Sequence, residues 1–206
     1  MGLMNKFFNQ TRKPEGKLGK MMLNGMNGGG HARLATFGMQ LLPDEGPTAI
    51  AELGCGGGRN IAALLDKYPT ARVTGVDYSP LSVETARAYN QSNAARCEVV
   101  EGDITALALP AEAYDLATAF ETVYFWGDLA RAFANVYGIL RKGGRFLIVN
   151  ESDGRDKTGK KFERIIDGMT VYTPEELQRY LQLAGFCKIV LTHHSAKPWI
   201  AVLAEK

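Results

Sequence analysis

The chain has 206 residues, 46% hydrophobic and 22% charged, enough for one core-bearing domain with an appendage. A net charge of +2 is too small to argue for a nucleic-acid or membrane partner. The three cysteines, Cys55, Cys97 and Cys187, stand far apart without CxxC spacing, which excludes a disulfide framework and a metal knuckle and fits a reducing cytoplasm.

In chain order, residues 1–43 read as an N-terminal basic arm followed by a helix. Lys6, Arg12, Lys13, Lys17, Lys20 and Arg33 face a single acid, Glu15. The polar residues among the first twenty break any signal peptide, no later stretch is apolar enough to span a bilayer, and Lys6 stands where myristoylation needs Ser or Thr. Met21, Met22, Leu23 and Met26 give the arm an apolar side with which to dock, so it is expected to act as a lid. After the break at Gly28-Gly29-Gly30, residues 31–42 read as a helix with Leu34, Phe37, Gly38 and Leu41 on one side.

Residues 44–206 form the second unit. Strands are expected at 48–53, 71–77, 96–101, 114–120 and 144–150, and helices at 59–68, 80–92 and 128–141. Ser79-Pro80 is a helix start, a capping side chain followed by proline in the first turn. Thr173-Pro174-Glu175-Glu176 is a capping box that opens a last helix ending at Gly185. Strands at 187–193 and 199–204 follow, and their connection is too short for a parallel crossover, so this pair is expected to be antiparallel. The expected fold is α/β, a doubly wound, mostly parallel seven-stranded sheet closed by an antiparallel C-terminal hairpin.

Chemistry concentrates in Glu52-Leu53-Gly54-Cys55-Gly56-Gly57-Gly58-Arg59, between the first strand and its helix. Gly54, Gly56 and Gly58 recur every second residue, whereas a dinucleotide fingerprint wants its third glycine where Arg59 stands. Asp77 ends the second strand, where a carboxylate can accept from a ribose diol. Asp103 follows the third strand, placed to read an exocyclic amine, with Ile104 offering an apolar face to a purine. A pocket lined by Glu52, Asp77 and Asp103 repels a pyrophosphate and suits a nucleoside that carries a cation.

These residues resemble the class I S-adenosylmethionine-dependent methyltransferases of the small-molecule type, with a Rossmann-like sheet. The resemblance covers Thr48 to Asn150 by motif: Glu52-x-Gly54-x-Gly56-x-Gly58, Asp77, Gly102-Asp103-Ile104, and Leu140-Arg141-Lys142-Gly143-Gly144 as the turn before the fifth strand. It implies S-adenosylmethionine as cofactor, leaving as S-adenosylhomocysteine. The glycine turn would pass under the methionine portion and Glu52 would lie near its amino end. Asp77 would hold the ribose and Tyr78 would flank the adenine, while Asp103 would accept from the adenine amine, beside Ile104. The Phe120-Glu121 backbone would complete the floor.

Acceptor-side residues are expected beyond strands four and five. Tyr124 and Trp126 are candidates to wall an apolar or cationic acceptor. Glu121 and Glu151 are candidates to hold an ammonium or take its proton, and His31, Glu121 and Tyr124 are the candidates for a catalytic group. No metal ligand set is expected, and the arrangement admits a homodimer. A nucleic-acid methyltransferase is disfavoured because no Asn/Asp-Pro-Pro-aromatic run or Pro-Cys pair follows the fourth strand. A non-enzymatic sensor of the same cofactor is the remaining alternative.

Overall fold

A computed structural model describes residues 7–44 and 46–206. Seven strands build one sheet: β1 (Ala49–Leu53), β2 (Arg72–Asp77), β3 (Cys97–Glu101), β4 (Tyr114–Phe120), β5 (Leu140–Asn150), β6 (Cys187–His193) and β7 (Ile200–Glu205). Their spatial order is β3-β2-β1-β4-β5-β7-β6. The first five are parallel and β7 runs antiparallel to both β5 and β6, as the short 194–198 connection requires. Chain order reverses at β1, which pairs with β2 on one side and β4 on the other. In such sheets the crevice for a ligand opens at the carboxyl ends of the strands flanking that switch.

The helices are α1 (Gly16–Gly25), α2 (Ala32–Met39), α3 (Arg59–Lys67), α4 (Pro80–Tyr89), α5 (Leu129–Ile139), α6 (Lys157–Ile165) and α7 (Pro174–Ala184), with a π-helical turn at Met26–Gly30 between α1 and α2. Successive strand residues feed opposite faces. Ala51 and Leu53 join the layer that holds Phe133, Val136, Leu177 and Leu181 of α5 and α7. Ile50 joins the layer with Leu34, Ile61, Leu64, Val83 and Ala86 of α2, α3 and α4. Both faces of the sheet are therefore covered, as its apolar strands demand. Among the described residues no helix is long and apolar enough to cross a membrane.

Two helices escape the sequence pattern. Helix α1 carries Gly16, Gly19 and Gly25, which weaken a helical reading. It forms because Leu23 is fully buried, and because Gly19 meets Pro14 so closely that a Cβ would stand 2.7 Å from its carbonyl carbon. Helix α6 buries only Gly159 and is mostly polar, with Phe162 and Ile165 as its only large apolar side chains; its start is set by Asp156, whose side chain accepts from the Gly159 amide at 2.7 Å. The helix expected to reach residue 141 ends at Ile139, and β5 begins at Leu140. The pairing slips between Tyr114↔Leu140 and Leu116↔Arg145, so the expected turn at 140–144 is an irregular start to the strand.

The arm is fastened across the carboxyl ends of the strands. Tyr78 Oη donates to the Arg12 carbonyl, Ser79 Oγ to the Pro14 carbonyl at 3.1 Å, and Asn27 Nδ2 to the Gly57 carbonyl at 2.8 Å. Its beginning rests on the loop after α6: Asn9 exchanges two hydrogen bonds of 2.9 Å with Asp167, and Phe8 packs edge-on against Phe162.

Candidate active site

The glycine turn is where β1 meets α3. The Gly54 and Cys55 amides both donate to the Val76 carbonyl, at 2.7 and 3.0 Å, which bends the chain away from the sheet at once. Gly54 has φ +76°, and a Cβ there would fall 1.9 Å from Thr122 Oγ1. Gly56 differs: a Cβ there would meet nothing within 4 Å, and the residue borders two cavities, so its missing side chain is a cradle left for a ligand. Cys55 lies among these residues as a buried thiol, held well above its ordinary pKa first by burial and then by Asp77 and Glu52, so it is no nucleophile.

Asp77 is 7% exposed and holds the turn in shape, accepting from the Gly56 amide through one oxygen and the Ser79 amide through the other, both at 2.9 Å. Burial raises its pKa, while those amides and Ser82 pull the other way. Each oxygen keeps a lone pair for a ligand hydroxyl. Glu52 is 0% exposed and lies beneath the turn, not on a cavity wall. Thr118 Oγ1 donates to its Oε2, its Oε1 has no partner among the described residues, and burial pushes the carboxyl up to about 8. Asp103 caps the 3-10 turn Ile104–Ala106, its Oδ1 accepting from the Thr105 amide and hydroxyl at 2.8 Å each.

A cavity of about 230 Å³ lies between the arm and the ends of β1, β2 and β4. Arg12 and Leu23 of the arm, Tyr78, Asp103 and Ile104 after β2 and β3, and Phe120 and Trp126 at and beyond the end of β4 line it. A smaller cavity of about 60 Å³ continues beyond the glycine turn between Asn27, His31, Arg59 and Asn60. Met26, Gly54, Gly56, Phe120 and Glu121 border both. Of the expected cofactor residues, Gly54, Gly56, Asp77, Tyr78, Asp103, Ile104 and Phe120 line these neighbouring cavities, whereas Glu52 and Gly58 line neither. Gly58 opens α3 with φ +85° and lets the turn approach α4, where a Cβ would stand 2.8 Å from Ala86 Cα.

The acceptor-side candidates separate. Trp126 lines the larger cavity, its Nε1 donating to Thr122 Oγ1 at 3.2 Å and its ring stacked on Phe146. Tyr124 is 3% exposed and stands behind Glu121, donating to Glu121 Oε1 at 3.1 Å while its oxygen accepts from the Ser152 amide at the same distance. Glu121 itself has φ +61°, uncommon for a side-chain-bearing residue and a reason to look for function. The Glu151 amide also donates to its Oε1. Burial pushes the Glu121 carboxyl up to about 8, and the charge of Glu151 adds to the effect. His31, at the start of α2, completes a group in which one ligating atom each of His31, Glu121 and Glu151 lie within 4.8 Å of one another.

Sequence reasoning missed the arm's wall residues, Arg12, Pro14, Leu23 and Met26, and Asn27 on the glycine turn. The apolar Met21–Met26 pattern pointed to docking but not to a place. It also missed Asn60, the second residue of α3, on the wall of the smaller cavity, whose side chain works against the burial that raises the Glu52 pKa.

Residues 51–148 match a sequence family described as a methyltransferase domain. Trans-aconitate 2-methyltransferase of Escherichia coli is 34% identical over 103 residues, which are 50% of this chain and 39% of the relative, so the chain spans about two fifths of the curated relatives it matches. Among solved structures, the chain is similar to one in the complex between the Haloferax volcanii Trm112 methyltransferase activator and a methyltransferase, with a TM-score of 0.77, 19% identity, and 88% of this chain and 93% of that one covered. It is also similar to geranyl diphosphate C-methyltransferase of Streptomyces coelicolor, solved with Mg2+, geranyl-S-thiolodiphosphate and S-adenosyl-L-homocysteine, with a TM-score of 0.74, 14% identity, and 84% and 75% covered.

Proposed function

We propose that the chain is a class I S-adenosylmethionine-dependent methyltransferase, which binds S-adenosylmethionine in the paired cavities and directs its methyl group to a small-molecule acceptor; the match of residues 51–148 to a methyltransferase domain supports this reading. The observation that carries this reading is the pair of cavities that share Gly54 and Gly56 as walls, one lined by Asp77 and Asp103 and the other by Arg59 and Asn60. The larger cavity suits the adenosine: Asp77 accepts from the ribose hydroxyls, Ile104 covers a purine face, and Asp103 accepts from its amine. The smaller cavity suits the amino-acid end, with the Arg59 guanidinium for its carboxylate. Glu52, beneath the turn, supports this end and does not touch it.

The bound cofactor supplies an electrophilic methyl on a sulfonium. The protein's share is placement and exclusion of water. Fixed geometry between reactants contributes roughly 7–11 kcal/mol in favourable cases, so an obligatory catalytic side chain is not required by the chemistry. Arm residues Arg12, Pro14, Leu23 and Met26 form part of the larger cavity's wall, which supports a small acceptor over a polymer. Phe125 and Trp126 line the larger cavity beyond β4, on the side of Glu121. Trans-aconitate is not carried over from the Escherichia coli relative, because the acids Glu121 and Glu151 beside the cavities disfavour an anionic acceptor.

Calorimetric titration of the full chain with S-adenosylhomocysteine and with NADH tests the reading. Binding of the former and not of the latter is expected. Asp77→Ala should weaken S-adenosylhomocysteine by about 1–3 kcal/mol, the worth of hydrogen bonds to a charged acceptor. Wild-type affinity in that variant, or tight NADH binding, would overturn the placement.

A further inference from the structure

We propose that the methyl acceptor is a cationic amine, held as its ammonium by Glu121, Glu151 and His31. This rests on the reading of the paired cavities as the methyl-donor site. The three residues come from distant parts of the chain, the start of α2, the end of β4 and the end of β5, yet one ligating atom of each falls within 4.8 Å of the others. Two carboxyls this close cannot both ionise without cost unless a cation lies beside them, and burial with the Glu151 charge already holds Glu121 up at about 8, so a bound ammonium is what would let both act as carboxylates. None of the ion pairs among the described residues involves either acid. Of the cations on the cavity walls, the Arg12 guanidinium donates to the Asp167 carbonyl at 3.0 Å, and Arg59 shares the smaller cavity with His31 and Glu121 but forms no ion pair with either acid among the described residues.

Glu121 is built to present one oxygen. Its Oε1 accepts from Tyr124 Oη and the Glu151 amide, while Oε2 has no partner among the described residues. The residue borders both cavities, so that oxygen lies where donor and acceptor sites meet. An ammonium has three N–H donors and no acceptor, which two carboxylate oxygens and an imidazole nitrogen match. Trp126 and Phe125 line the larger cavity on the same side of Glu121 and can receive the organic part of such a cation.

The reaction needs the nitrogen lone pair. The ammonium gives one proton to the Glu121 carboxylate, whose pKa burial has already raised, or to His31. The freed amine forms the N–C bond as the C–S bond of the sulfonium breaks, and the bonding pair stays on sulfur. The product is an N-methylammonium, the thioether is neutral, and the proton rests on the protein until solvent removes it.

The full chain, saturated with S-adenosylhomocysteine, is equilibrated with a metabolite extract that ion exchange at neutral pH has divided into cationic, neutral and anionic fractions. Molecules retained through gel filtration are identified by mass, and the same fractions are assayed with methyl-labelled cofactor. Retention and label are both expected in the cationic fraction. Glu151→Gln, at an exposed position, should reduce retention about tenfold, the worth of one charge-assisted hydrogen bond. It should raise KM more than it lowers kcat and leave S-adenosylhomocysteine affinity unchanged. Label confined to the anionic or neutral fraction overturns the proposal, as does a Glu151→Gln variant whose retention and KM stay within about twofold of wild type. If S-adenosylhomocysteine binds but no fraction accepts label, transfer itself is refuted and the amine with it; if it fails to bind, the calorimetry above identifies the cofactor site as the error.

Discussion

Glu52→Gln should stabilise the protein at alkaline pH and flatten its stability between about pH 4.5 and 8. The wild-type carboxyl is fully buried and its pKa rises from 4.5 to about 8, with desolvation as the main cause. In that window the folded chain keeps a proton that the unfolded chain has lost. Stability is therefore complete below the unfolded value and falls by up to about 1.4 kcal/mol per pH unit as pH rises through the window. Above the folded value the buried charge weakens the fold by an amount on the order of 5 kcal/mol. Glutamine carries no charge, keeps an acceptor for Thr118, and has an amide that can use the place of the unpartnered Oε1. Glu121 contributes a slope of the same sign in the same window, so the variant should flatten the profile without levelling it. Urea midpoints from pH 5 to 8.5 decide this; parallel wild-type and variant profiles would show that Glu52 is not kept as a neutral acid.

Gly54→Ala should be the most damaging single methyl in the chain. The left-handed backbone at φ +76° costs a Cβ about 1–2 kcal/mol, and the new atom would lie 1.9 Å from Thr122 Oγ1 and 2.6 Å from Thr122 Cβ. Thr122 can retreat only by giving up its bond to the Trp126 indole. Added overpacking of about 1–3 kcal/mol brings the total to roughly 2–5 kcal/mol. The methyl also disturbs the amides of residues 54 and 55 that grip Val76, so S-adenosylhomocysteine binding should be lost with stability. Gly138→Ala is the control. It sits near the end of α5 with open space around its Cβ position, and should stabilise by about 0.5–1 kcal/mol. Equal thermal shifts in the two variants would refute the steric account.

The parallel sheet and its closing hairpin were legible because apolar runs of four to seven residues alternate with capped helices, and Ser79 and Thr173 form the caps expected of them. That Gly54, Gly56, Asp77, Asp103 and Phe120 gather around neighbouring cavities was legible because these residues follow strand ends, where position along the chain nearly fixes position in space. The placing of the residues proposed for the acceptor was not. Tyr124 and Trp126 are two residues apart on a single 3-10 turn, and only the path of that turn sends the indole to the cavity and the phenol behind Glu121. His31 and Glu151 meet through the packing of α2 on β5, where Gly38 lies so near Val149 that a Cβ would stand 2.2 Å from its side chain. No local pattern encodes a meeting of that range. Helix α1 stayed hidden for the same reason: its glycines argue against a helix, and its support comes from burying Leu23.

The arm's attachment has a consequence for what can loosen it. Two of its fastenings over the nucleotide end, from Tyr78 and Ser79, reach main-chain carbonyls of Arg12 and Pro14 and make no use of the arm's basic side chains. The third, from Asn27, joins a neutral amide to another carbonyl. Contacts between neutral dipoles are barely screened by mobile ions, unlike surface charges about a Debye length apart. These three fastenings should therefore hold as ionic strength rises, leaving the contacts of Arg12 and Asn9 with Asp167 as the part of the seat that involves charge.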